Sequence, residues 1–376
     1  MKIERINDWF ARRGKWMIQR RWLVLSLSIL VFAIGFTGLR YFKVSASWED
    51  YFLEDDPMLV KTEEFKDIFG NDNFAAVLTR CDNLFTKENL QLIRELTNEM
   101  MDSLSYADKI TSLTDIEFMV GSEEGMTIEQ IVPETIPSDP AQLEEIRHKA
   151  YLKPHVAERL VSKDGTLSWI ILKLRTFPED SVWNKGKNAV APEVLTGNEL
   201  EHIITKDKYQ KLHPKGTGLP YVTAMKMKWI SKEMPRVLGI ATLISILILL
   251  LVTRSFRGVV VPLVTAVGSI IIVYGMLGYV GMTIDSGMVM IPMLLTFAVS
   301  IAYNIHVYSY FKRQFLMHGK RTQAVEETVR EMGWPVLFSA LTTFAALLSF
   351  LAIPMQPMRF IGIATCLLYT SPSPRD

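Results

Sequence analysis

The stretch from Ile284 to Phe311, followed at once by Lys312 and Arg313, limits what this chain can become more than any other. It reads IDSGMVMIPMLLTFAVSIAYNIHVYSYF, and about two dozen mostly apolar residues are enough to cross the hydrocarbon core of a bilayer. Yet Thr296, Ser300, Tyr303, Asn304 and His306 lie along it. Polar side chains at that depth are expensive and usually face a bundle interior or a water-filled path. At about 100° per residue, Ser300, Tyr303, Asn304 and Val307 share one stripe, and His306 sits beside Tyr303 on its other flank. Pro292 removes a backbone donor, which predicts a kink where the carbonyl of Met288 loses its partner. Two readings stand. The helix is buried and its polar groups are satisfied by neighbours, or those groups serve the movement of ions or substrate.

Hydrophobic residues make up 49% of the 376, alongside 22% charged residues. That mixture predicts membrane helices joined to a sizeable water-exposed region. The net charge of +1, with no basic patch interleaved with aromatics, argues against a nucleic-acid partner. Cys81 and Cys366 are the only cysteines, too few and too far apart in character for a disulfide framework. Residues 1–21 are basic and amphipathic, with Lys2, Arg5, Arg12, Arg13, Lys15, Arg20 and Arg21 against Glu4 and Asp8. The apolar run Trp22 to Leu39 follows. It is long for a signal peptide, and Arg40 and Lys43 stand where a cleavage region should be neutral, so an uncleaved first helix is expected. The positive-inside rule then puts the amino terminus in the cytoplasm.

Residues 43–235 read as an extracytoplasmic α+β domain of βαβ units. The pattern predicts a strand over Phe74–Cys81, a helix over Thr86–Leu104 and a strand over Lys109–Met119. After a loop through Pro133, Pro137 and Pro140 come a helix at Ala141–Leu152 and a hairpin of Val156–Ser162 with Thr166–Arg175, turning at Lys163-Asp164-Gly165. A helix at Leu195–Leu212 and a last strand ending near Thr223 complete it. No catalytic constellation is visible. His148, His155, His202 and His213 are scattered without an HExxH pattern, and no hydrolase nucleophile motif or phosphate-binding loop occurs. The acidic group Glu49, Asp50, Glu54, Asp55 and Asp56 reads as a solvated charge run. No enzyme, metal or bound cofactor is therefore expected.

Residues 236–369 read as the membrane domain, carrying helices two to six. Val237–Val252, Gly258–Tyr279 and Trp334–Ile353 are further spans, and a sixth starts at Phe360. The basic groups Arg254 with Arg257, Lys312 with Arg313, and Lys320 with Arg321 and Arg330 all fall on the side an inside amino terminus requires. Gly275, Gly278 and Gly281 read as packing or helix-end residues. About ten apolar residues after Arg359 are too few for a complete sixth span. The polar residues 370–376 read as a non-native tail.

This order of parts resembles half of a resistance-nodulation-division (RND) transporter, and most of all the bacterial MMPL-type exporters, kin to sterol-sensing and Patched-type proteins. Phe65 to Phe74 (FKDIFGNDNF) resembles the segment before the family's first outer strand, and Gly218-Leu219-Pro220 its entry to the second helix. Ile291-Pro292 with Ala298 to Val307 resembles the fourth helix, and Ser339-Ala340-Leu341-Thr342-Thr343 the fifth. The resemblance implies a multi-pass inner-membrane protein of a bacterial cell that moves hydrophobic, amphiphilic or lipid-like substrates using a proton or sodium gradient. It implies ion or substrate translocation groups among His306, Asn304, Tyr303, Ser300, Thr342 and Thr343. It also implies a missing carboxy-terminal half, membrane lipids as partners, and leaves a homo-oligomer open. One departure stands out: the family's proton-carrying Asp-Tyr pair aligns with Ala302-Tyr303. That departure keeps a second reading alive, a membrane-embedded lipid sensor or assembly factor without coupled flux, and a protein-export accessory subunit is a third.

Overall fold

A computed structural model of the chain describes residues 2–45, 49–53, 55–71, 73–122, 125–157, 159–178, 190–281 and 283–370. Residues 371–376 of the expected tail and Glu54 of the acidic run lie outside the described residues, while Thr370 ends the last helix. The elements in chain order are α1 (Lys2–Gln19), α2 (Arg21–Gly38), β1 (Lys43–Ser45), α3 (Pro57–Phe69), β2 (Phe74–Arg80), α4 (Lys87–Ser103), β3 (Ala107–Thr111), β4 (Glu117–Ser122) and β5 (Gly125–Gln130). Then follow α5 (Pro140–Leu152), β6 (Leu167–Leu174), α6 (Pro192–Ile204), β7 (Lys215–Thr217), α7 (Leu219–Thr253), α8 (Phe256–Val280), β8 (Thr283–Asp285), α9 (Met290–His318), α10 (Arg321–Leu348) and α11 (Gln356–Thr370). They divide into two compact units, residues 1–59 with 230–376, and residues 60–229.

The α+β unit is built on a four-stranded antiparallel sheet in the order β3-β6-β2-β7. β2 and β3 both run antiparallel to β6, so β2-α4-β3 is a parallel pair split by an intervening strand. β6-α6-β7 is split by β2 in the same way. The βαβ units are thus of the split type, in which helices cover one face of an antiparallel sheet. Helix α4 forms where the sequence places it because Thr86 caps it, its Oγ1 accepting from the Asn89 N–H at 3.3 Å. Leu90, Ile93, Leu96 and Met100, at helical spacing, are all fully buried against the sheet. Each such side chain contributes about 1.5–3 kcal/mol of burial.

Several expectations are corrected. Lys109–Met119 is two strands, β3 and β4, parted by a turn, and β4 pairs with β5 in a separate hairpin. The first arm of the expected Val156–Ser162 hairpin is a single helical turn, Pro154–Ala157, and one bridge from Val161 to Ser168. The turn itself is kept: Gly165, at φ +72°, closes it and the Asp164 carboxylate accepts from Thr166. The helix expected over Leu195–Leu212 ends at Ile204 and gives way to a 3-10 turn, Asp207–Leu212. The last strand stops at Thr217, because Gly218, at φ +102°, turns the chain into α7 where a Cβ would strike the Phe74 carbonyl.

Among the described residues, five helices are long and apolar enough to cross a membrane: α2, α7, α8, α9 and α10 with its 3-10 extension to Ala352. Two expectations about the fourth span change. Ile284 belongs to β8, which pairs in parallel with β1 (Lys43↔Thr283, Val44↔Ile284, Ser45↔Asp285), so α9 begins only at Met290. Pro292 therefore stands in the first turn, where a missing N–H breaks no intrahelical bond, and it makes no mid-span kink. The amphipathic stretch before the fifth span and the span itself are one helix, α10. Helix α1 packs along it, with Lys15 paired to Glu326 at 3.0 Å and Gly333 leaving room for the Phe10 ring.

One ionic knot ties the α+β unit together. Glu99 of α4, only 16% exposed, receives Lys206, Lys208 at 2.7 Å and the hydroxyl of the fully buried Tyr209 at 2.6 Å. Burial alone would push the Glu99 carboxyl up, but hydrogen bonds from Lys206, Lys208 and Tyr209 together outweigh it and hold the group down at about 2. A carboxyl depressed in the folded state stabilises above its ordinary value of 4.5 and loses that contribution as pH falls towards about 2. Glu99→Gln should therefore flatten the acid limb of the unit's stability between those limits. It should also lower stability at neutral pH by about 1–3 kcal/mol, since the buried Tyr209 hydroxyl and two lysines lose a charged acceptor. Urea unfolding of the full chain in detergent, followed by far-UV circular dichroism at stepped pH, checks both.

Candidate functional site

Helix α9 is seated before its polar groups come into play. The Lys312 Nζ donates to the Thr253 carbonyl at 2.6 Å, satisfying an orphan acceptor at the carboxy terminus of α7. The Tyr308 hydroxyl donates to Ser255 Oγ at 3.3 Å. At the other end the Tyr274 hydroxyl of α8 donates to the Val289 carbonyl at 2.6 Å, just before α9 starts. These contacts fix the rotation of α9 against the α7–α8 hairpin.

That rotation separates the sequence-predicted groups into three positions. Asn304 is buried against α8: its Nδ2 donates to Thr265 Oγ1 at 2.6 Å and to the Ser300 carbonyl at 2.7 Å. Tyr303, half-buried, turns to α10, where its hydroxyl meets Ser339 Oγ at 3.1 Å. His306 is exposed, on the same side as Ala302, one turn earlier. Ser300 is half-buried and contributes its carbonyl to Asn304. Thr342 and Thr343 do not reach α9 through a hydrogen bond; both hydroxyls donate to the Ser339 carbonyl of their own helix at 2.9 Å.

Three groups outside the expected set belong to this region. Thr265 is the partner that satisfies Asn304, and its own hydroxyl donates to the Pro262 carbonyl at 3.0 Å. Ser339 joins Tyr303 by its side chain and Thr342 with Thr343 by its carbonyl. Thr296 lies two turns before Asn304 on the same stripe, fully buried, and its Oγ1 finds no hydrogen-bond partner among the described residues. The spacing Thr296, Ser300, Asn304 was open to reading as one buried stripe. Thr265 carries no such signal, because Asn304 reaches it from another helix, and Ser339, though part of the fifth-helix motif, has nothing in its spacing that marks it as the partner of Tyr303. No group of three or more His, Cys, Asp or Glu side chains that could hold a metal occurs among the described residues.

The MMPL family model matches residues 58–367. The chain belongs to the MMPL family. Family membership implies an RND-type membrane transporter, a class that is generally not enzymatic. A membrane protein of Methanocaldococcus jannaschii is 20% identical to this MMPL protein over 354 residues, spanning 92% of this chain and 85% of that one.

The two kinds of polar position should respond differently to substitution. Asn304→Ala removes an interhelical hydrogen bond and should lower the heat stability of the full chain in detergent by about 1–2 kcal/mol. His306→Ala removes an exposed ring that makes no hydrogen bond or ion pair among the described residues, and should leave stability within about 0.5 kcal/mol of the parent. Equal losses from both would mean that His306 is packed inside the bundle.

Proposed function

We propose that this MMPL protein is a secondary transporter that exports hydrophobic or lipid-like substrates, driven by an ion gradient read by α9 and α10. The observation that carries this is the family match across residues 58–367, joined to the concentration of membrane-depth polar groups on these two helices. In this reading the α+β unit lies outside a bacterial inner membrane, gathers the substrate, and passes it on as the helices change state. The chain works with a second helical unit, supplied by a carboxy-terminal continuation or by another copy. His306 and Tyr303 serve as translocation groups, Asn304 and Ser300 hold α9 in register, and Thr342 and Thr343 tune α10 around Ser339.

His306 is the titrating candidate because Ala302 cannot titrate. Helix rise puts it about 9 Å along the axis from Lys312, inside the hydrocarbon region. The same substitution favours a second reading, a lipid sensor or assembly factor whose helices bind lipid without coupled flux. Sodium, held by oxygen ligands, is the alternative coupling ion.

Two measurements test these readings. Reporter fusions after Lys61 should read as external and fusions after Lys320 as cytoplasmic; the reverse pattern would overturn the orientation. In vesicles containing the full chain, efflux of a fluorescent lipid analogue should be abolished by a protonophore and by His306→Ala, while Asn304→Ala slows it without altering its pH profile. Flux with an unchanged pH profile in His306→Ala removes the histidine from the mechanism, and gradient-independent binding with no flux in the parent favours the sensor.

A further inference from the structure

The α+β unit holds a cavity of about 810 Å³ where β2, β6 and β7 meet the first turn of α4, which contributes Asn89. The register explains what lines it. Along β2, Ala75, Val77 and Thr79 point into the helix-covered core, so Leu78 and Arg80 point the other way. Leu78 stands opposite Lys215 on β7, and Arg80 stands opposite Leu167 on β6. Leu78 and Leu167 thus form an apolar floor, with Arg80 and Lys215 at its rim.

The segment leading into β7 adds to the same sign. Lys211, His213 and Lys215 are exposed while Leu212 between the first two is fully buried, so the alternation lays the three basic side chains along the cavity. Lys211 is shared with Glu88 at 2.5 Å. Arg80 and Lys215 form no ion pair among the described residues, and Asp82 is the one carboxylate in the lining. His213 adopts the left-handed conformation at φ +40° without being glycine, immediately before Pro214. Such strain is kept where the surroundings hold a side chain in place, and it gathers at ligand sites. Burial pushes the neighbouring Cys81 thiol up, so it stays protonated and offers no nucleophile.

We infer that this cavity binds the oxyanion of a phosphate-type group, held between Arg80 and Lys215 with its apolar remainder on Leu78 and Leu167. The volume is that of a drug-sized ligand and far exceeds a bare phosphate, which fits an amphiphile carrying an anionic headgroup. The fork of Arg80 suits bidentate contact with such an oxyanion, and Lys215 adds a point charge beside it. The site goes beyond the transport reading, since it rests on binding alone.

The test uses the full chain in a neutral detergent and follows ³¹P line broadening of three probes. They are inorganic phosphate, dihexanoyl phosphatidylglycerol and the zwitterionic dihexanoyl phosphatidylcholine. The anionic lipid should bind more tightly than the zwitterionic one, and Arg80→Gln with Lys215→Gln should weaken it by about tenfold or more. Lys149→Gln, which carries an exposed lysine elsewhere on the unit, should change nothing. Phosphate competing with the lipid shows that the oxyanion is enough; lipid binding without phosphate competition shows that the headgroup must arrive on an amphiphile. Should the double variant melt early, Lys215→Gln alone, an exposed edge-strand change, decides. Unchanged affinity in a folded variant, or no preference for the anionic lipid, overturns the site. Neither result depends on flux, so the transport reading stands or falls separately.

Discussion

Helices α2 and α8 meet backbone to backbone, and the rest of the helical unit depends on that contact. A Cβ on Gly275 would fall on the Gly35 carbonyl, and one on Gly278 would fall on that of Gly38. In lipid there is little hydrophobic drive to bring helices together, so association rests on how closely backbones approach. With α8 fixed on one side, its other side offers Thr265 to Asn304 and the Tyr274 hydroxyl to the Val289 carbonyl. The register of α9 is therefore set through α8. A bulkier side chain at Gly275 would displace the partners of α9 without touching α9 itself.

Much of this was legible in the sequence, for identifiable reasons. Helix α4 was readable because its cap and its buried side chains follow local rules. The five spans were readable because hydropathy is a property of residue runs. The start of α9 was not. Ile284 is apolar and extends the run, but its backbone pairs with Val44 far away in the chain, which no window can detect. The separate β4–β5 hairpin was hidden for a related reason: Met119 and Val120 continue an apolar pattern across a turn that only the pairing reveals. Pro292 was misread as a kink because its effect depends wholly on where the helix begins.

The candidate site was legible as a list of residues and illegible as an arrangement. A helical wheel places Ser300, Tyr303 and Asn304 together, yet Asn304 is spent on α8 and Tyr303 on α10. One stripe is wide enough to face two neighbours, and only the neighbours decide which polar group is satisfied. Ala302 and His306 occupy the remaining side, which the described bundle leaves open. Leaving an imidazole there in contact with acyl chains would be unfavourable. That side is consequently better suited to another helical surface or to water than to lipid.

Beside α9, the backbone ladder of α10 is irregular. Pro335 has no N–H for the Glu331 carbonyl, so the ladder is already broken one turn before Ser339. At Ser339 the opposite holds, since its carbonyl receives the hydroxyls of both Thr342 and Thr343. Hydroxyls that bond back to a preceding turn tend to bend a helix. The Tyr303–Ser339 bond therefore joins α9 to the segment of α10 whose backbone bonds are most easily rearranged. Asn304 and Thr265 meanwhile dock α9 on α8, so the two bonds from α9 end on different neighbours, the one to α10 just after the break in its ladder.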